Sequence, residues 1–300
     1  MTSWKIVARA SKAQVEGALA RQELAFDWPP AITLSAHEAA PDTPDEWVLE
    51  AWLAEKPRAA DKRLVGGLFD EGPPELVAEK VPDEDWVTLS QQSVQPVLAG
   101  AFHVHTPDHP PLAKRGVRDF EIPASQAFGT GHHETTAGCL AMLTEIKRRG
   151  VRVRNLADIG SGTGLLAFAA LDLWPSASAI ASDNDPVCED IVGYNAVRNA
   201  VPLGTGAGEL AIVTAEGTDH SAIRRRAPFD LVIANILALP LIDLAPDFAL
   251  ACAGRGHVVL SGLLVSQEAQ VRAAYRRAGF RLALRLTHGD WSILWLRKRR

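Results

Sequence analysis

Apolar and polar residues in the first 82 positions follow short runs of two-residue alternation separated by runs of helical spacing. The pattern predicts, in order, a strand at 4–9, a helix at 12–23, strands at 32–36 and 47–53, a helix at 60–69 and a strand at 76–81. The order β-α-β-β-α-β is that of a ferredoxin-like fold. We therefore expect residues 1–82 to form a small α+β domain of this class.

Residues 83–123 are polar at first and then rich in proline, and we expect a linker with little regular structure. His103, His105 and His109 lie in this segment. Three histidines can ligate a metal ion, but no carboxylate or cysteine shares a regular spacing with them. We expect them to be loop or surface residues.

From residue 124 to the end, strand and helix patterns follow one another. Strands are predicted at 153–159, 179–183, 210–214, 230–234, 258–261, 281–287 and 291–297, and helices at 165–173, 186–199, 239–251 and 266–278. Such alternation is typical of a mostly parallel sheet with helices on both faces. The turn His288-Gly289-Asp290 predicts a hairpin that makes the last strand antiparallel. We expect the final RKRR to be a solvated tail.

The composition is that of an ordinary globular protein of about two domains, with 300 residues, 47% of them apolar and 22% charged. No apolar run reaches the roughly 18 residues of a transmembrane helix, and charges interrupt the first residues, unlike a signal peptide. The net charge of −5 gives no electrostatic reason to expect a nucleic-acid partner. Cys139, Cys188 and Cys252 are isolated, which suits a reducing cytosol.

The strongest local signal is ADIGSGTG at 157–164, where an apolar strand runs into a glycine-rich turn and a helix follows. The glycines are Gly160, Gly162 and Gly164. A dinucleotide-binding fingerprint, G-x-G-x-x-G, that began at Gly160 would need glycine at position 165, but the residue there is leucine. The P-loop pattern is also absent. The turn resembles the cofactor loop of class I S-adenosylmethionine-dependent methyltransferases. The alternative is a strand-to-helix turn that binds no ligand.

The next predicted strand ends in Ser182-Asp183-Asn184-Asp185. A carboxylate there offers two oxygens to the two hydroxyls of a ribose, and we assign that role to Asp183. Asp185, which precedes a proline, is expected to cap the following helix. The alternative for Asp183 is an ordinary surface turn.

A further strand delivers Asn235 to the same edge of the predicted sheet. Its amide oxygen can accept a hydrogen from an amine and so orient the nitrogen lone pair toward a methyl donor. Asparagine is also common in turns, so a purely structural role stays open.

Residues 124–140, ASQAFGTGHHETTAGCL, combine a glycine loop with the predicted start of a helix at Thr135-Thr136. Hydroxyls and helix N–H groups there can meet a polar or anionic ligand. The run His132-His133-Glu134 suggests a metal site, but adjacent residues do not face one point on a helix and H-E-x-x-H is absent. We expect no metal.

Taken together, these motifs resemble the PrmA family of ribosomal protein L11 methyltransferases. The resemblance rests on AFGTGHHETT at 127–136, DIGSGTGLLA at 158–167, ANILALPLIDLAP at 234–246, LSGLLVSQEAQVRAAYRRAGF at 260–280 and Gly-Asp-Trp at 289–291, with DEDWV at 83–87. The sequence resemblance is strong over residues 83–300. Before residue 83, only the order of the predicted strands and helices agrees with the family.

The resemblance implies a seven-stranded, Rossmann-like class I methyltransferase sheet at 124–300 and a ferredoxin-like domain that recognises the substrate. It implies methylation of the N-terminal α-amine and lysine ε-amines of ribosomal protein L11 by a cytoplasmic monomer using S-adenosylmethionine. By motif matching, the implied cofactor contacts are Thr136, Gly160, Asp183 and Asn235, with Asn235 also catalytic. From the residues themselves we add Asp158, Gly162 and Gly164 of the glycine turn, and Phe128, which lies beside the glycine loop at 129–131 and is expected to help close the pocket. The family usually has threonine at His132 and proline at Glu134, which leaves the loop conformation and the choice of methylation site open.

Methyl transfer from a sulfonium needs an uncharged amine held in line with the methyl group, which is catalysis by positioning. No side chain stands out as a general base. Two alternatives stay open: a methyltransferase of another protein or of RNA, and a non-catalytic ribosome-assembly binder that has kept the fold. The acidic charge balance speaks against RNA, and the intact glycine loop, Asp183 and Asn235 speak against a binder.

Overall fold

The structure is a computed structural model that describes residues 4–24, 28–29, 32–39, 45–70, 72, 74–80, 95–123 and 133–300. The chain divides into two compact units, Met1–Trp86 and Val87–Arg300. Within the described residues, no helix is both long enough and apolar enough to cross a membrane.

The first unit is an antiparallel sheet with two helices. Its elements are β1 (Trp4–Ser11), α1 (Lys12–Leu24), β2 (Thr33–Glu38), β3 (Glu46–Leu53), α2 (Ala59–Gly66) and β4 (Leu76–Lys80). The strand order is β2-β3-β1-β4, and each neighbouring pair is antiparallel. This order and the βαββαβ succession confirm the ferredoxin-like prediction.

Apolar spacing explains why these elements pack. Ile6 and Ala8, two residues apart on β1, are fully buried, and so are Val15 and Ala18, three residues apart on α1. Together with Leu49 of β3 they belong to one apolar core. The two periods place one face of the sheet against one face of the helix.

Three short strands form a second sheet within the predicted linker: β5 (Val97–Ala99), β6 (Phe102–His105) and β7 (Arg118–Glu121). Phe102, Val104 and Phe120 are buried in a core of the second unit. The ring of Phe120 lies 5.8 Å from that of Phe102 and 6.3 Å from that of Phe168. The structure differs from the linker prediction here, because alternate apolar residues of a four-residue strand are too few to stand out.

His103 and His105 occupy the other alternate positions of β6 and are only 7% and 6% exposed. The prediction that they are loop or surface residues is therefore wrong for these two. His109 does lie in the loop that follows β6.

The second unit continues with a large α/β arrangement. Its elements are α3 (His133–Arg148), β8 (Asn155–Ile159), α4 (Leu165–Leu173), β9 (Ser178–Asp183), α5 (Val187–Arg198), β10 (Leu210–Thr214), α6 (Ser221–Arg226), β11 (Phe229–Asn235), α7 (Ala238–Asp243), α8 (Ala245–Ala251), β12 (Cys252–Leu264), α9 (Glu268–Arg277), β13 (Phe280–His288) and β14 (Trp291–Lys298).

The seven strands are arranged in the order β10-β9-β8-β11-β12-β14-β13. The first five run parallel, and β14 is antiparallel to both β12 and β13. The predicted seven-stranded, mostly parallel sheet with a final hairpin is confirmed. The carboxyl ends of β8, β9 and β11 therefore meet at one edge, where open α/β sheets bind ligands.

Apolar cores cover both faces of this sheet. One contains Leu140 of α3 and Phe168 of α4, and the other contains Leu241 of α7, Phe248 of α8 and Val271 of α9. This arrangement explains why the parallel strands are apolar along their whole length rather than alternating.

Three local predictions were wrong. The helix expected at 239–251 is two helices, because Pro246 lies in the first turn of α8 and cannot continue the preceding helix. The short helix α6 was not predicted. The expected solvated tail is partly structural, since Lys298 closes β14 and its Nζ donates to the backbone oxygens of Ala249 and Cys252 at 2.5 and 2.7 Å.

Candidate functional site

The turn between β8 and α4 has a backbone conformation that strongly favours glycine. Gly160, Gly162 and Gly164 have φ angles of +73°, +52° and +81°, which residues with a Cβ rarely adopt. A Cβ at Gly160 would lie 2.3 Å from Cγ2 of Ile236, the residue after β11. The Gly160 N–H donates to the Ser182 oxygen at 2.8 Å, which fastens the turn to β9.

Asp183, at the end of β9, orients the same turn. Its Oδ2 accepts a hydrogen bond from Gly162 N at 2.8 Å, and its Oδ1 accepts one from Asp185 N at 3.2 Å. The carboxylate is half-buried. Asp185 Oδ1 accepts a bond from Val187 N at 3.0 Å, at the start of α5, which is the capping contact expected from the sequence. Asp183 is therefore held against the glycine turn and Asp185 against the helix.

Asn235 ends β11 beside the first turn of α3. Its Nδ2 lies 3.4 Å from Oγ1 of Thr135, a fully buried side chain. Asn235 Oδ1 is buried and has no hydrogen-bond partner among the described residues. Ser261, opposite Asn235 on β12, has an Oγ in the same state. Buried oxygens are rarely left without a donor, so this edge offers acceptor capacity to a ligand.

Sequence reasoning did not single out Ser261, and it named Thr135 only as part of a helix start. The sequence hint of the Asn235 contact was weak: Thr135 lies next to Thr136, which was itself a predicted site residue. The pairing of Ser261 with Asn235 depends on the register of two strands and left no local pattern.

Asp158 is the buried carboxylate of this edge, only 1% exposed on β8. Its Oδ2 accepts a hydrogen bond from Ala167 N at 3.0 Å, while Oδ1 has no partner among the described residues. Burial raises the pKa of Asp158 to about 7, the Ala167 N–H opposes this shift, and the charge of Asp183 adds to it.

Two of the remaining predicted residues, Thr136 and Glu134, lie in the first turn of α3. Thr136 is buried in its first turn. Phe128 and His132 fall in 124–132, outside the described residues. Glu134 is exposed, and its carboxylate lies beside Gly289 in the β13–β14 turn, where an added Cβ would be 2.7 Å from Oε2.

The raised pKa of Asp158 gives a testable pH dependence. Between about pH 4 and pH 7 the carboxyl loses its proton in the unfolded chain but keeps it in the folded one. Its contribution to the unfolding free energy therefore falls as the pH rises through this window, by about 1.4 kcal/mol per pKa unit. We expect Asp158→Asn, which cannot ionise, to become more stable relative to the parent protein from pH 4 to pH 7, and to level off above.

Denaturant unfolding across this pH range measures the difference. Asp243→Asn, at an exposed carboxylate, is the matched control and should show no such trend. A difference between Asp158→Asn and the parent that does not change with pH contradicts the assignment.

Gly262 of β12 lies against the backbone of Ile236, the residue that follows Asn235. It has a φ of +82°, and a Cβ there would lie 2.3 Å from the Ile236 oxygen and 2.7 Å from the Ile236 carbonyl carbon. Because these are backbone atoms, they cannot rotate away. We expect Gly262→Ala to lower the unfolding free energy by at least about 1–3 kcal/mol in denaturant titration. Gly193→Ala is the control, because nothing lies within 4 Å of the new Cβ, and it should not lower the unfolding free energy. Equal unfolding free energies for the two variants would contradict this expectation.

A protein-family model described as ribosomal protein L11 methyltransferase (PrmA) matches residues 37–299. The chain belongs to this family. A ribosomal protein L11 methyltransferase of Agrobacterium fabrum is 39% identical over 256 residues, which are 85% of each chain. One of Sinorhizobium fredii is 40% identical over 258 residues, 85% of this chain and 86% of the relative.

A solved structure agrees with this membership. The crystal structure of a ribosomal protein L11 methylase from Lactobacillus delbrueckii subsp. bulgaricus is 28% identical, with a TM-score of 0.54, and covers 68% of this chain and 96% of its own. The resemblance inferred from the motifs is thus confirmed, and the protein is a methyltransferase with the class I fold.

Proposed function

We propose that this PrmA family member transfers methyl groups from S-adenosylmethionine to the N-terminal α-amine and lysine ε-amines of ribosomal protein L11. The observation that carries the proposal is the buried Asn235 Oδ1, without a partner among the described residues, at the sheet edge that holds the glycine turn. The names of the relatives support the substrate.

The residues at this edge fit the proposed cofactor. Gly160, Gly162 and Gly164 give the turn its positive φ angles, and we propose that the backbone of this turn meets the cofactor. Asp183 is already oriented by two N–H donors and retains lone pairs for the ribose hydroxyls. We propose that Asp158 fixes the start of α4 by accepting the Ala167 N–H, and so keeps the preceding turn in place. Thr136, in the first turn of α3, completes the proposed contacts of the described residues, and Phe128 remains a proposed contact from the sequence alone.

When bound, S-adenosylmethionine supplies a methyl group already activated by the positive sulfonium. The chain must then hold an uncharged amine in line with that methyl group. A free α-amine has a pKa near 7.7–8.0 and a lysine near 10.4, so a lysine needs desolvation to lose its proton. Asn235 Oδ1 accepts an amine hydrogen and so directs the nitrogen lone pair at the methyl group. Thr135 fixes the Asn235 amide from the other side.

We also propose that this reaction uses no metal, because a sulfonium methyl group needs no Lewis acid. A monomer in the cytoplasm, without direct nucleic-acid binding, fits the proposal. The free thiols of Cys139, Cys188 and Cys252 support the cytoplasm, and the net charge of −5 gives no electrostatic reason to expect a nucleic-acid partner.

The two units are proposed to divide the work, with the first holding the ribosomal protein and the second holding the cofactor. All described candidate site residues lie after Trp86. We expect a fragment of residues 87–300 to bind S-adenosylmethionine as the full chain does, but to methylate L11 poorly, because remote binding energy positions the amine. Calorimetry and methyl incorporation on the same fragment measure both; a folded fragment with undiminished methylation rejects the division.

Labelled S-adenosylmethionine tests the substrate. The full chain is incubated with purified L11, with other large-subunit proteins and with ribosomal RNA in separate reactions. We expect label on L11 and background elsewhere. Label on RNA or on another protein would replace the proposed substrate, and cofactor binding without any labelled product would indicate a non-catalytic binder.

A further inference from the structure

A cluster of metal-ligating side chains lies on the small sheet, apart from the glycine turn. We call His103, His105 and Asp119 the histidine cluster. His103 and His105 are alternate residues of β6 and therefore face the same side. The parallel pairing of β6 with β7 places Asp119 opposite His103. One ligand atom from each of the three lies within 4.8 Å of the others.

Both histidines have one ring nitrogen fixed by a hydrogen bond. His103 Nδ1 lies 2.7 Å from Asp119 Oδ1, and His105 Nδ1 lies 2.9 Å from the Thr106 carbonyl oxygen. Because both partners are acceptors, each Nδ1 carries a hydrogen and each neutral ring keeps its lone pair on Nε2. Neither Nε2 has a hydrogen-bond partner in the described part of the chain. The rings are stacked, with centroids 5.4 Å apart and planes at 26°.

Asp119 is itself held in place. Its Oδ1 accepts a bond from Leu112 N at 2.7 Å and its Oδ2 one from Ala113 N at 3.2 Å. These two N–H donors hold the carboxylate in the position from which it contacts the His103 ring. Ala113 has a φ of +50°, a strained value for alanine that its bond to Asp119 helps to hold.

A carboxylate that takes the Nδ1 hydrogen of a histidine is the usual support of a metal-ligating imidazole. Two nitrogens on one tetrahedral ion lie roughly 3.3 Å apart, given bonds of about 2.0–2.1 Å. The two stacked imidazoles, with centroids 5.4 Å apart, lie side by side, and one ring nitrogen of each lies within 4.8 Å of one of the other. We propose that Nε2 of His103 and Nε2 of His105 ligate one divalent transition-metal ion of the imidazole-preferring class, such as Zn²⁺ or Ni²⁺, with Asp119 as the orienting group.

The proposed ion lies outside the methyl-transfer site and is independent of the proposed function. Its two protein ligands leave other coordination positions to water. Bound there, it links two side chains of β6, while Asp119 holds the His103 ring in place. We expect it to stabilise the folded chain, since binding to the native state adds to the unfolding free energy.

Isothermal titration of the untagged, metal-free, full-length chain with zinc chloride or nickel chloride tests the proposal. We expect one ion per chain, bound at least about tenfold more weakly by His103→Gln and by His105→Gln. Asp119→Asn, which keeps all first ligands, should weaken binding by about 10–100-fold. His37→Gln, at an exposed histidine of the first unit, is the matched control and should bind like the parent protein.

Thermal unfolding with and without zinc keeps the test decisive if a variant folds poorly. Zinc should raise the melting temperature of the parent chain, and a chelator should abolish this rise, because only the folded chain presents both imidazoles to one ion. The proposal is overturned if no saturable binding occurs, if His105→Gln binds like the parent chain, or if binding depends instead on His132 and His133.

Discussion

Replacing Asn235 with alanine should lower the turnover of L11 methylation by about 10²–10³-fold, the loss typical of removing one preorganised polar group from an active site. The variant loses the buried Oδ1 that we propose to hold the amine. Initial rates at saturating S-adenosylmethionine and L11 measure the effect. Thr135→Val, which removes the hydroxyl that contacts Asn235 Nδ2, should give a smaller loss, as expected for a positioning residue.

The same assay distinguishes metal-independent methyl transfer from a mechanism that depends on a metal ion. A chelator should leave the turnover of the parent chain unchanged, because the proposed ion at the histidine cluster takes no part in methyl transfer. Activity that a chelator abolishes and a divalent ion restores would contradict the role of Asn235, as would an Asn235→Ala variant that turns over normally.

Replacing Asp183 with alanine should raise the dissociation constant for S-adenosylmethionine by roughly 10- to 150-fold. This corresponds to the about 1.5–3 kcal/mol lost with hydrogen bonds to a charged group. The variant loses the proposed ribose contact and also the acceptor that holds Gly162 N–H at 2.8 Å. Both losses act in the same direction, because a looser turn must be ordered again when the cofactor binds.

Calorimetric titration measures this effect, and Asp185→Ala is its matched control. Asp185 lies on the same turn and is exposed, and its carboxylate accepts the Val187 N–H at the start of α5. We expect this control to keep the parent affinity. Unchanged affinity in Asp183→Ala, or an equal loss in both variants, would reject the assignment.

The sheet and the edge that carries the site could be predicted because they depend on local patterns. An apolar strand ending in Asp158 and a glycine turn, and two more ending in Asp183 and Asn235, must meet when the strands are parallel. The glycines were readable for the same reason, since the turn from 160 to 164 requires positive φ at three positions. The roles of these residues toward ligands stay predictions.

Contacts that depend on strand register could not be predicted. His103 and Asp119 are 16 positions apart, with prolines between them, and only the parallel pairing of β6 with β7 brings them together. The apolar residues Phe102 and Val104 alternate with histidines over only four positions, so the segment resembled a linker. Pro246 does indicate a break in the helix predicted at 239–251. The apolar residues keep a helical spacing on both sides of it, and this favoured one continuous helix.

The most direct test of the central claim is the mass spectrum of L11 after incubation with the full chain and S-adenosylmethionine. We expect added methyl groups, mapped by fragmentation to the N-terminal α-amine and lysine ε-amines, and strongly reduced when Asn235→Ala replaces the parent chain. An L11 mass that stays unchanged, while the chain binds S-adenosylmethionine normally, would contradict it.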